Sequence, residues 1–326
     1  MSLARSPRSP LPLLVALAFG SAVPRPPRAS DPLLYCSNER SNTISVISPR
    51  TDTVIATIPV GKRPRGMTLS PDRRTAYVAL GEDDAVGVID VAKARMTRTV
   101  PAGRDPELVA RSPDGKTLYV SNEEIAHASA IDVATGRMLF STPVGVEPEG
   151  IGVSPDGSKV YVTAETSNSV SVLDARSGRV LRTIRVGENP RTVAFTPDGR
   201  RAYVTAEAGG NVTVIDVATD SIVAQFPIRD GKTKPVRIAF TPDGRYAYLT
   251  EGAAGTVSVL DVATGKVTDT IPVGRRPWGL ALSPDGRRIY TADGRSNQVS
   301  VIDAATRKVL ATIPVGDRPN DLLYIP

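Results

Sequence analysis

Residues 62–65 read Lys-Arg-Pro-Arg, and a proline with polar or charged neighbours returns about every 42 residues. The flanking residues are Arg63 and Arg65, Asp105 and Glu107, Glu147 and Glu149, Asn189 and Arg191, Lys234 with Arg237 nearby, Arg276 and Trp278, and Arg318 and Asn320. Two consecutive pairs are acidic and the other five are mostly basic. Such a set binds rather than breaks bonds. Guanidinium and ammonium groups hold anions, carboxylates hold a cation or a basic surface, and the indole of Trp278 stacks on a planar ligand or packs on Pro277. A second set, Glu39, Glu82, Glu123, Glu165, Glu207, Glu251 and Asp293, recurs with nearly the same step. A ring of carboxylates suits a hard cation such as calcium, and Glu123, Glu165 and Glu207 are its candidate ligands. Their offset from the preceding apolar run varies, however, and a turn acid ordinarily accepts backbone N–H groups.

Other chemistries lack their residues. His127 is the only histidine, so a serine triad has one candidate base, and no Gly-x-Ser-x-Gly elbow is present. The single cysteine, Cys36, rules out an internal disulfide, a Cys-x-x-Cys-His haem attachment and a His/Cys zinc site. It sits in an apolar run and reads as a buried structural thiol.

These residues are positioned by a repeat. Ser/Thr-Pro-Asp-Gly stands at 112–115, 154–157, 196–199, 241–244 and 283–286, with Ser-Pro-Asp-Arg at 70–73. Successive Pro-Asp pairs lie 42, 42, 42, 45 and 42 residues apart. An aliphatic residue followed by Asp keeps the same step at Asp90, Asp132, Asp174, Asp216, Asp261 and Asp303. In one copy, 150–154 is a short run of small and apolar residues. Ser-Pro-Asp-Gly then fits a type I turn. Residues 159–163 alternate and are β-branched or aromatic. Residues 170–174 and 180–186 make two further strands around a glycine turn. These four strands, A to D, form one antiparallel blade, and such repeats stack as propellers. The chain enters at strand B (33–37) and ends on a strand A (321–326). The predicted fold is therefore all-β, a single domain over residues 31–326. It is a seven-bladed β-propeller closed by three N-terminal strands and one C-terminal strand. The proline-flanking residues and the acids between strands B and C then crown one mouth of the central channel.

Residues 1–30 differ. Arg5 and Arg8 precede an apolar run at 11–20, and small residues follow, the order of a secretory signal peptide with a short Pro/Arg-rich leader. The run is too short to span a bilayer. The expected location is periplasmic or secreted. The leader carries four arginines and no acid, so a net charge of +6 falls to +2 from Asp31 onward. This counts against nucleic acid as a partner.

Tyr161-Val-Thr163, Tyr203-Val-Thr205, Asn-x-Val-x-Val-[Ile/Leu]-Asp and Thr-Ile-Pro-Val-Gly resemble the YVTN-family β-propeller repeat from Leu33 to the C-terminus. Within it the chain is similar to periplasmic propellers associated with PQQ-dependent alcohol catabolism. The carrying residues are 63–66, 105–107, 145–150, 276–279 and the enlarged fifth connection, 229–235. The resemblance implies an accessory of quinoprotein dehydrogenases or transport components, without a cofactor of its own. Quinoprotein propellers carry a tryptophan in most blades, and this chain has one. The expectation is a non-catalytic, monomeric binding or scaffold protein that meets a protein partner or small molecule at the channel mouth. A lactonase-like hydrolase is the alternative, its metal on the acids between strands B and C and a bound water as nucleophile. A nucleic-acid-binding propeller is the third reading.

Overall fold

The computed structural model describes Met1 and residues 31–326. The expected leader at 1–30, Met1 apart, lies outside the described residues. Seven four-stranded antiparallel sheets form the fold. Blade 1 combines Leu33–Asn38, Thr43–Ser48 and Thr53–Pro59 with the last strand, Pro319–Ile325. Blades 2 to 7 run continuously over 64–101, 106–143, 148–185, 190–227, 235–272 and 277–314. Closure is direct: Leu33 pairs with Ile325, Tyr35 with Leu323 and Cys36 with Leu322. The all-β seven-bladed ring read from the sequence is the one observed. Among the described residues no helix is long and apolar enough to cross a membrane.

The repeat's polar markers hold the turns. In blade 4 the Asp156 carboxylate accepts the Ser154 hydroxyl and the Ser158 N–H, and Ser154 Oγ accepts the Lys159 N–H at 3.0 Å. Asp174 accepts the Ser177 N–H at 2.8 Å. Hydrogen bonds led by Ser154 and by Ser177 hold these two carboxyls below the usual aspartate range. Strands B and C are buried almost throughout, whereas strand D is mostly exposed. The core is thus a set of wedges between blades, such as Tyr35, Ile44 and Val46 against Val78, Leu80 and Ile89.

Strand A carries glycine in blades 2, 4 and 7, where the axis is crowded. A Cβ on Gly66 would lie 2.0 Å from Leu108 Cδ2, and one on Gly150 would lie 2.3 Å from the Arg191 carbonyl oxygen. At the opposite end of the ring, ion pairs bridge blades: Arg288 to Asp52 at 2.7 Å across the closure and Lys159 to Asp220 at 2.8 Å between blades 4 and 5. Cys36 is fully buried, and burial, then Asp321 and Asp293, push its thiol pKa well up.

Candidate functional site: an arginine–carboxylate lattice at the channel mouth

Each connection from strand D to the next strand A ends in a proline that opens the strand. The residue before that proline is left-handed in all seven blades, from Asp105 at φ 49° to Asn189 at φ 60°. The residue after it faces the axis. Arg65, Glu107, Glu149, Arg191, Val236, Trp278 and Asn320 together line one hollow. The sequence pairing of Lys234 with Arg237 is resolved here. Pro235 is followed by Val236 at the lining position, and Arg237 stands one place deeper. From there it reaches Asp321 at 2.9 Å. The hollow measures about 290 Å³, but only about 20 Å³ of it admits the centre of a water molecule. That is room for about one water.

Charged side chains close in around it. Arg65 pairs with Glu107, with Glu39 at 3.3 Å and with Glu149 at 3.9 Å. Arg63 pairs with Asp105, with Glu107 at 2.8 Å and with Glu123 at 3.6 Å. Arg191 spans Glu149, Glu165 and Glu207, the last at 2.6 Å. Glu207 also takes Arg276 at 2.7 Å. Trp278 is stacked already: the guanidinium carbons of Arg276 and Arg191 lie 4.5 and 5.3 Å from its ring centroid. Glu147 accepts the Thr166 hydroxyl, and Arg318 reaches Glu39 at 3.8 Å. The two acidic connections are thus embraced by arginines from the blades on either side.

The lattice tunes its members unequally. Burial pushes the Glu107 carboxyl well above the usual range; Arg65 pulls against this and Glu149 adds to it. Burial also raises Glu165. At Glu207 burial is outweighed by Arg191 and Arg276, which hold it below the usual range. Burial lowers the Arg65 pKa, but Glu107, Glu149 and Glu39 outweigh it and carry the value upward.

Carboxylate oxygens of Asp105, Glu107 and Glu123 lie within 4.8 Å of one another. They would suit a divalent ion by number and type. Arg63 contacts all three, so a guanidinium already supplies the cation, and the set does not fit a resident metal. His127 is half-buried at the start of a strand C, its Nδ1 against the Ile125 carbonyl.

Two of the seven expected loop acids are corrected. Glu251 and Asp293 are the last residues of their B strands, fully buried, rather than loop residues. The same place holds Asn38 and Asn122, and the partner is always a serine seven residues on. Asn38 Nδ2 donates to Ser45 at 2.9 Å, Ser129 to Asn122 at 2.8 Å, Ser258 to Glu251 at 2.6 Å and Ser300 to Asp293 at 2.6 Å. In these four blades a polar side chain thus terminates strand B where it leaves the core. The signal was legible as Asn/Asp/Glu with Ser at a fixed offset of seven. Burial raises the Asp293 carboxyl, with hydrogen bonds from Ser300, Thr291, Gln298 and Gly274 opposing.

Solvent meets a different set. Lys232, Lys234, Arg275, Arg295 and Arg40 are exposed, and none has a carboxylate within 4 Å among the described residues. They occupy three consecutive blades, 6, 7 and 1; on blade 2 the exposed Lys62 stands beside the exposed acids Glu82, Asp83 and Asp84. The exposed acids beside them are Asp230 and Asp317. On blades 3 to 5 the outermost groups include Glu124, paired with Arg104 at 2.7 Å, Glu147 and Glu188. The mouth is therefore neutralised at its centre and polarised at its edge.

Comparison with known proteins places this geometry. The YNCE-like β-propeller family matches residues 10–128 and 113–198, and the lactonase seven-bladed β-propeller family matches 179–312. No curated protein matches the chain. Among solved structures, hydrazine synthase of Kuenenia stuttgartiensis is 27% identical with a TM-score of 0.78, over 84% of this chain and 92% of that one. A proposed 6-phosphogluconolactonase from Bacteroides uniformis is 18% identical with a TM-score of 0.76, over 90% of this chain and 100% of that one. A functionally unknown protein from Desulfotomaculum acetoxidans is 15% identical with a TM-score of 0.78, over 90% and 98%. The last two likenesses concern the fold alone.

Proposed function

We propose that this chain, which belongs to the YNCE-like β-propeller family, is a non-catalytic binding propeller that docks an acidic protein surface on the basic edge of its mouth. The observation that carries this is the division of charge. The central arginines and carboxylates satisfy one another around a hollow with space for about one water. Five exposed cations on blades 6, 7 and 1 stay unneutralised. A patch of one sign beside a saturated centre steers a partner of opposite sign and sets its register. Export through the leader and service to a quinoprotein oxidation or transport system complete the proposal, as the sequence resemblance implies.

The test is affinity capture from the exporting compartment with wild type, an Arg275→Glu/Arg295→Glu variant and an Arg104→Glu control on blade 3. The blade 7 variant should lose the partner that wild type and the control retain. Its melting temperature should stay within a few degrees, since both side chains are exposed. Equal capture by all three proteins would refute docking at this edge.

A metal-dependent lactonase is the second reading, favoured by the lactonase-family match over 179–312 and by the Asp105–Glu107–Glu123 cluster. Arg63 in that cluster weighs against it, because a hydrolytic metal would have to displace the guanidinium from all three carboxylates.

A further inference from the structure

The enlarged connection between blades 5 and 6, residues 228–234, breaks a rule that the other six obey. In those six, the two residues before the proline expose N–H groups, and side chains of the adjoining turns between strands B and C accept at least one of them. Lys62 N–H donates to Asp83 at 2.7 Å and Arg63 N–H to Asn42 at 3.0 Å. Val146 N–H goes to Ser167 and Arg275 N–H to Ser296, each at 2.8 Å. The accepting residues are the third and fourth of the four-residue turn. At the enlarged connection those two places are Ala254 and Gly210, which carry no acceptor. Gly210 has no room for one, since a Cβ there would meet the Gly231 carbonyl oxygen at 1.8 Å. The N–H groups of Thr233 and Lys234 consequently have no acceptor among the described residues.

Three further features converge on the same loop. The Thr233 hydroxyl is buried, its residue 5% exposed, and has no hydrogen-bond partner. A buried hydroxyl left unbonded is costly, so such groups ordinarily have a partner. Lys232 and Lys234 flank it, exposed and without an ion pair. Three residues of the loop are left-handed, Arg229 at φ 53°, Gly231 at 75° and Lys234 at 59°. Left-handed residues set beside ordinary ones are the backbone element from which anion-binding concavities are built. The loop's own charges are otherwise engaged: Asp230 accepts the Lys232 N–H at 3.1 Å, and Arg229 pairs with buried Glu251 at 3.1 Å.

We infer that the Lys232–Thr233–Lys234 segment is a binding site for an oxyanion, a phosphate or carboxylate group held by two backbone N–H groups, the Thr233 hydroxyl and two ammonium groups. It stands on the loop's own geometry and does not rest on the docking of a protein partner. An anion can bind a chain that docks nothing, and the docking variant leaves this loop intact.

The experiment is calorimetric titration of the full chain with sodium phosphate and, separately, sodium acetate at constant ionic strength. It is paired with amide spectra of protein labelled on threonine and lysine. Saturable binding that shifts the Thr233 and Lys234 amides is expected. Lys232→Ala/Lys234→Ala should weaken it about tenfold or more, as loss of charge-assisted contacts does. Ala254→Ser restores the missing acceptor on an exposed turn and should weaken binding several-fold without lowering the melting temperature. Binding of phosphate alone, acetate alone or both identifies the group. Absence of saturable binding by either anion would overturn the site, as would binding that both variants leave unchanged.

Discussion

Removing residues 319–326 is expected to abolish cooperative folding, not to lower stability by degrees. This segment supplies the innermost strand of blade 1, and its register against Leu33–Asn38 is the ring's closure. Leu322 and Ile325 are buried in two different inter-blade wedges. Asp321 accepts the Met67 N–H at 2.8 Å, donates its own N–H to Ser37 at 3.0 Å and holds Arg237. Its loss uncovers both faces of blade 1 and leaves a free strand edge where the fold otherwise closes on itself. Leu322→Asp is the point version, a charge placed in an apolar wedge, and should cost about 4 kcal/mol or more. Circular dichroism and calorimetry read both variants. A truncated chain that still melts sharply near the wild-type temperature would show that closure contributes little.

Arg65→Ala is the second large effect. Its guanidinium is nearly buried and faces Glu107, Glu149 and Glu39. Taking one partner from a buried ion pair leaves uncompensated charge and costs about 3–5 kcal/mol. For a domain of this size that is a fall of roughly 10 °C in melting temperature. The pH dependence follows from Glu107, whose carboxyl burial already raises above its unfolded value. A raised acid binds its proton more tightly folded than unfolded, so stability is gained as pH falls through the folded value and lost as pH rises. Without Arg65 that rise becomes larger. The deficit relative to wild type should therefore be smallest in mild acid and widen toward neutral pH. Melting curves of both proteins across that range check it, and a deficit independent of pH would mean that Glu107 and Glu149 are not what Arg65 compensates.

The repeat made the fold legible because propeller contacts are mostly within a blade or between neighbours. Ser-Pro-Asp-Gly and the strand-ending Asp each announce a turn, and Asp156 and Asp174 accept hydrogen bonds in those turns. The C-terminal strand followed from alignment of residues 321–326 with strand A. The site was legible in its membership and not in its connections. Arg65 reaching Glu149, two blades away, depends on the radius of the ring, which no local pattern encodes. Val236 and Arg237 exchanged places because three inserted residues blur the register ahead of Pro235. Glu251 and Asp293 read as loop acids because an acidic residue at a strand end looks the same whether it faces solvent or a buried serine.

The central claim is that arginines, not a metal, hold the carboxylates of the mouth. Metal analysis of the purified protein, with calcium and zinc titrations of wild type and Arg63→Ala, addresses it most directly. Wild type should contain no stoichiometric divalent ion and show no saturable uptake. Arg63→Ala should gain one site from Asp105, Glu107 and Glu123, whose oxygens already lie within 4.8 Å of one another. One tightly held ion per wild-type chain, lost on replacing Glu107 or Glu123, would contradict the account and favour the hydrolase.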